Sequence, residues 1–306
     1  MPSSFKNQTI TTRRKMKKVI LALSSVVLLI GTTQAVHAQD QRVLAIIDTA
    51  INSAKHPAVI YEACVTQPTS TGNSTTGCPN GKTFMEGKGS ASAPWPKDLN
   101  SPTYHGDYMV KAALVANPDV KILFVRYSEV SAAGNSLNTQ EALVKAIEWV
   151  ANNATKYSVD AVSISQASVS SGNLTRCSTD KVTTDAISSL NAKNIPTFAA
   201  TGNDGSLTVI GYPSCIPGVT ATAALVSESV FEKASNRGPG VDLTAIGKTL
   251  TTKYNGSSTE LFGTSAATVK SAATFIGKNS TTSFAEYLGS LSKAVVLGVS
   301  YPFGSR

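Results

Sequence analysis

Five short runs of β-branched and aliphatic residues punctuate the chain: "RVLAIID" ending at Asp48, "VKILFVRY" from Val120, "VDAVSIS" from Val159, "IPTFAAT" from Ile195 and "VTATAAL" from Val219. Short apolar runs of this kind, bounded by polar stretches, suit strands of a parallel sheet that is covered on both faces. Between them the apolar residues return with a longer period. In "TQEALVKAIEWVANNATKY", from Thr139, Ala142, Ala146, Trp149 and Val150 recur at helical spacing, and "STDKVTTDAISSLNAKN", from Ser178, follows similarly. Alternating strands and helices predict an α/β fold: a doubly wound, mostly parallel sheet with helices on both faces. Ligands of such sheets bind beyond the carboxyl ends of the strands. The segment from about Thr66 to Ser101 is rich in Gly, Ser and Thr and has no period, which predicts a long surface loop.

The N-terminus follows a different logic. Lys6, Arg13, Arg14, Lys15, Lys17 and Lys18 precede the apolar run "VILALSSVVLLI", which gives way to "GTTQAVHAQD" with Val36 and Ala38 at alternate positions. A charged region, a short apolar region and a small-residue exit predict a signal peptide over residues 1–38, cleaved after Ala38, with secretion or delivery to a periplasm. The run is shorter than the roughly 20 residues of a membrane span, so no stable span is expected after cleavage. These 38 residues hold six of the 27 basic residues and none of the 19 acidic ones. The remainder is therefore close to neutral, and the overall positive charge gives no support for nucleic-acid binding. Residues 39–306 are expected to form one domain, with no room before the first strand for an N-terminal inhibitory pro-segment.

All four cysteines, Cys64, Cys78, Cys177 and Cys215, lie beyond the predicted cleavage site. An even number in an exported chain predicts disulfides, and of the three connectivities Cys64–Cys78 with Cys177–Cys215 is favoured, because the first pair brackets a loop that needs a staple. The rival zinc site is disfavoured by wide, irregular spacing and the lack of nearby histidine.

Four positions carry candidate chemistry. Asp48 stands at the carboxyl end of the first strand; His105 opens "HGDYMVKAALVANP"; Asn203 lies in "AATGNDGS"; and Ser265 follows Gly263 in "FGTSAATVKSAA". Singly, each has a plainer reading: a strand-end acid starts a turn, Asn before Asp-Gly suits positive backbone dihedrals, and serine caps helices. His56 and His105 are the only histidines after the signal, which limits any histidine-dependent mechanism to two candidates. The order Asp, His, Ser is that of subtilisin and not of chymotrypsin or the α/β-hydrolases.

From about Arg42 to Gly277 the chain resembles the subtilisin-like serine proteases. "IIDTAINSAKHPAV" is similar to the aspartate block with its following noncatalytic His-Pro, which implies a structural turn for His56. "HGDYMVKAALVA" resembles the histidine block, "FAATGNDG" the oxyanion asparagine block, and "GTSAA" the serine block. "YPSCIPGVTATAAL" and "ASNRGPGVDLTAIG" resemble the stretches between the last two. The resemblance implies a serine endopeptidase acting on a peptide or protein, with Asp48, His105 and Ser265 catalytic and Asn203 in the oxyanion hole. It implies further that Ser165, Gln166 and Ala167 form the substrate-binding edge. No cofactor is required for this chemistry, no loop carries a defensible calcium-ligand spacing, and a monomer is expected.

The chain departs from the family pattern at Ala50, Asp107, Tyr108, Val269 and Lys270. Ala50 and Val269 call for small repacking. Asp107 predicts more, because a second carboxylate near His105 raises the imidazole pKa and shifts the acidic limb of activity upward. The departures motivate an alternative in which the fold serves as a noncatalytic peptide- or protein-binding module. An unrelated small-molecule binder on a similar sheet fits the ordered blocks poorly.

Overall fold

The computed structural model of the protein describes residues 42–67, 75–93, 103–131, 136–253, 255–278 and 281–305. The signal segment lies outside the described residues. The first strand, Val43–Asp48, shows why its sequence does not alternate. Val43, Ala45 and Ile47 pack into one hydrophobic cluster, Leu44 and Ile46 into another on the opposite face, and every residue of the strand is buried.

Across the main sheet the order is Val230–Phe231, Val219–Ser227, Thr197–Ala200, Val159–Ile164, Val43–Asp48, Lys121–Arg126, Val59–Val65 and Phe84–Glu86, with Leu243–Ile246 also paired to Val219–Ser227. The pairings within this sheet are parallel except those made by Phe84–Glu86 and Val230–Phe231. All five predicted strands form. Val59–Val65 escaped the apolar-run test because Tyr61 and Glu62 interrupt it; Glu62 is buried, accepting from the Ser53 hydroxyl at 2.7 Å and the Ala91 N–H at 3.1 Å. Within the predicted surface loop, Phe84–Glu86 adds an edge strand too short to show a period.

The helices are α1 (His105–Ala116), α2 (Gln140–Asn153), α3 (Ser171–Thr179), α4 (Lys181–Ala192), α5 (Thr264–Ile276) and α6 (Phe284–Ser290). α2 and α4 cover one sheet face, where Leu143, Ile147, Ile187 and Leu190 join Val162 and Ile164. α1 and α5 cover the other, with Met109, Val110, Val269 and Ala273 against Phe124 and Phe198. Both fold-defining helix predictions hold, and the N-caps explain their starts: the Thr139 hydroxyl accepts from Ala142 N–H and the Asp180 carboxylate from Thr183 N–H. α5 is buried along nearly its whole length, down to Lys270, whose ammonium donates to the Ile246 carbonyl at 3.1 Å. Burial, then the nearby Lys248 charge, lowers the Lys270 pKa.

Two disulfides close loops, Cys64–Cys78 and Cys177–Cys215, in the favoured connectivity. Among the described residues no helix is long and apolar enough to cross a membrane.

Candidate active site

Asp48, Ser165 and Asn203 lie at or just past the carboxyl ends of three adjacent strands, Val43–Asp48, Val159–Ile164 and Thr197–Ala200. His105 and Ser265 are the first and second residues of α1 and α5, helices that pack on the same sheet face. Two helix beginnings and three strand ends thus meet at one rim. There His105, Ser165, Gln166, Ala167, Asn203 and Ser265 line a cleft of about 390 Å³.

The Asp48 carboxylate is 2% exposed and anchors the site. Its Oδ1 accepts from Thr49 N–H at 2.6 Å and from His105 Nδ1 at 2.7 Å, which leaves Nε2 as the second nitrogen of the ring. The imidazole itself remains about a third exposed. Burial pulls His105 toward neutrality, but the charge of Asp48 and its hydrogen bond prevail and raise the imidazole pKa above its ordinary value. The approach of α1 to the Asp48 turn depends on Gly106. A Cβ there would come within 2.6 Å of the Ala50 carbonyl oxygen and 2.5 Å of the Phe124 ring, while the Gly106 N–H donates to Thr49 Oγ1 at 3.1 Å.

Asn203 is oriented by Thr264. Its side-chain oxygen accepts both the Thr264 N–H and the Thr264 hydroxyl at 3.0 Å. A backbone N–H can only donate, so the Asn203 Nδ2 amide is held on the other side as a donor. The loop itself is knitted by Asn236, which is fully buried. Its Oδ1 accepts from Asp204 and Ser206 N–H, its Nδ2 donates to the Thr201 carbonyl at 2.9 Å and to Asp204 Oδ2 at 3.0 Å, and its own N–H donates to the Gly202 carbonyl. Gly202 has a φ of +107°, and a Cβ there would lie 2.4 Å from Asn236 Nδ2.

The Ser265 hydroxyl donates to the Ser165 carbonyl at 3.2 Å, and the Ser165 hydroxyl donates in return to the Ser265 carbonyl at 3.3 Å. Ser265 and His105 face one cleft without a hydrogen bond between them in this rotamer. The Ser265 N–H belongs to the first turn of α5, where amides have no intrahelical partner. On the substrate-edge segment, the Gln166 side chain is fixed by the Tyr127 hydroxyl, which donates to Oε1 at 2.6 Å. Burial, then the Asp48 charge, pushes the Tyr127 phenol well above its usual pKa and keeps it a donor.

Asp107 does not behave as its place in the sequence suggested. Its Oδ1 accepts from the Asn52 N–H at 2.9 Å and lies 2.6 Å from His56 Nε2, both side chains being buried. Two positions along the first turn of a helix, the Asp107 side chain leaves in a different direction from that of His105, so the upward shift of His105 is due to Asp48. His56 does sit at the end of a one-turn segment, Ser53–Lys55. Sequence reasoning missed Tyr127 and Thr264. Tyr127 ends an apolar run, and Thr264 sits inside a motif read for its serine. Asn236 fell within the recognised "ASNRGPG" block, yet its donors and acceptors are legible only in three dimensions. Among the described residues no group of three or more His, Cys, Asp or Glu is arranged to hold a metal ion.

A parallel sheet with this rim defines a class: the chain has the subtilisin-like fold. It is similar to a cold-adapted subtilisin-like serine proteinase, with 21% identity, a TM-score of 0.58, and 87% of this chain and 89% of that one covered. It is also similar to the prenylagaramide maturation protease PagA, with 22% identity, a TM-score of 0.51 and coverage of 76% and 73%. A lanthipeptide protease aligns with 17% identity, a TM-score of 0.55 and coverage of 78% and 72%. No protein-family model matches the chain, and no curated protein does.

Proposed function

We propose that the protein is an exported serine endopeptidase in which Asp48, His105 and Ser265 act together on a peptide bond. The observation that carries this reading is the Asp48–His105 hydrogen bond at 2.7 Å, made at a cleft that Ser265 and Asn203 also line. In the reaction the Ser265 hydroxyl leaves the Ser165 carbonyl by rotating about its Cα–Cβ bond, and its oxygen attacks the substrate carbonyl carbon. His105 Nε2 takes the hydroxyl proton, while Asp48 holds the Nδ1 tautomer and stabilises the imidazolium. The carbonyl oxygen becomes an oxyanion that accepts from Asn203 Nδ2 and the Ser265 N–H; one such side-chain donor is worth about 10²–10³ in kcat. The tetrahedral intermediate collapses, the C–N bond breaks, and the leaving amine receives the proton from His105. Water, deprotonated by the same imidazole, then hydrolyses the ester. The substrate backbone lies along Ser165–Ala167, and Gln166, pinned by Tyr127, forms a wall of the cleft. The solved neighbours named as proteases support a protease reading at the level of the fold.

A second reading, a noncatalytic binding module, is favoured by one observation: Ser265 is bonded to Ser165 and not to His105. Labelling of the folded protein by a serine-directed fluorophosphonate separates the two. The enzyme reading expects one covalent adduct that disappears in Ser265→Ala. A well-folded protein that takes no label refutes it and leaves the binding module.

A further inference from the structure

A second cavity, of about 350 Å³, opens beside α1, and neither Asp48, His105 nor Ser265 lines it. Its walls come from three separate segments: the turn after the first strand brings Lys55 and His56, α1 brings Asp107 and Lys111, and the hairpin leading into α5 brings Thr252 and Lys253. Ammonium groups on a protein surface ordinarily diverge into solvent, since gathering them costs mutual repulsion and a walled cavity focuses their field. Among the described residues, lysines remote in sequence share this cavity with one carboxylate. That carboxylate, Asp107, accepts through Oδ1 from the Asn52 N–H and lies 2.6 Å from His56 Nε2, and its one negative charge offsets only part of the charge of the lysines. Lys111 donates one of its three N–H bonds to Thr252 Oγ1, which sets the ammonium at the hairpin wall and leaves two donors. Lys253 follows Thr252 directly and is exposed. Thr103, on the same lining, adds a hydroxyl whose oxygen is buried without a hydrogen-bond partner among the described residues.

We infer that this cavity binds an anionic group, a carboxylate or a phosphate, through Lys111 and Lys253. The inference goes beyond the peptidase reading and stands whether or not Ser265 is reactive. The three walls are also the segments that adjoin Asp48, His105 and Ser265, so an occupant would bridge them.

The test is calorimetric titration of the folded, exported chain at low ionic strength with two probes, inorganic phosphate and a capped tri-glutamate peptide. Saturable one-site binding of either probe is expected, weakening as salt is added. It should weaken roughly tenfold in Lys111→Met and again in Lys253→Gln, a charge-assisted contact being lost each time, and remain unchanged in Lys82→Gln, an exposed lysine that does not line the cavity. Preference for phosphate assigns the site to free anions, and preference for tri-glutamate assigns it to acidic polypeptide. Absence of saturable binding by both probes overturns the inference, as does binding that both cavity substitutions leave intact. Met keeps the Lys111 stem and Lys253 is on the surface, so both variants are expected to fold; their melting temperatures verify it.

Discussion

The Asp48–His105 pair decides how the site responds to acid. Because Asp48 raises the imidazole pKa against the effect of burial, His105 stays protonated to a higher pH than an ordinary imidazole. On the peptidase reading His105 is the general base, which must be neutral, so the acidic limb of activity is expected above the ordinary histidine range. Asp48→Asn removes the charge and leaves the burial. The limb should then move to lower pH while kcat falls by about 10⁴, through loss of the correct tautomer; a pH–rate profile that keeps its limb in place contradicts this assignment. Linkage carries the same sign for stability. The pair's contribution is complete below the imidazole's unfolded pKa and is lost as pH rises through the raised folded value. At this scale the sequence was informative for Asp48, His105, Asn203 and Ser265, since each stands in a block with its own spacing. It misled for Asp107, whose neighbour along the chain is not its neighbour in space, because side chains two apart on a helix point about 200° apart.

Helices and strands deliver those residues through backbone approaches that only particular side chains allow. α1 meets the Asp48 turn at Gly106, where a methyl group would fall 2.6 Å from the Ala50 carbonyl oxygen. Gly106→Ala is therefore expected to displace the start of α1. Chemical denaturation should register a loss of about 1–3 kcal/mol, the usual range for overpacking, and fluorophosphonate labelling should slow because the displaced imidazole no longer meets Asp48. Normal labelling in a destabilised variant would separate packing from positioning and refute the second half of the expectation. Strand prediction worked where both faces are dry and the sequence is correspondingly apolar, as in Val43–Asp48. It failed at Val59–Val65, where a buried Glu62 is satisfied by Ser53 and Ala91, partners that no periodicity can announce. Leu243–Ile246 was missed because Asp242 and Gly247 flank it directly, so no apolar run extends beyond its four residues.

For the molecule as a whole, buried polar ties and covalent ties act where the hydrophobic layers end. Arg126 is fully buried at the end of its strand, in register with Asp48. It donates to the carbonyls of Ser128, Ser92 and Gly77, binding together loops that have little apolar surface of their own. Burial lowers its pKa to about 10, against the opposing pull of Tyr104 and Glu129. The Cys64–Cys78 bridge closes 14 residues of the same region and the Cys177–Cys215 bridge closes 38, contributing about 3 and about 4 kcal/mol in the chain-entropy model. Cys177→Ser with Cys215→Ser should lower the melting midpoint by about 10 °C, measured by calorimetry; an unchanged midpoint would show that the bridge is mechanically idle.

That second bridge joins α3 to the stretch on which the cleft floor is built. Three residues before Cys215, Tyr212 exchanges backbone hydrogen bonds with Ser168, and Gly211 packs against the Ala167 methyl. Thiol-rich surroundings would unlatch this floor, and oxidising ones would latch it. On the reading of an exported peptidase, a chain still inside a reducing cell would hold this stretch through hydrogen bonds and packing alone, and the covalent tie would be added only on release.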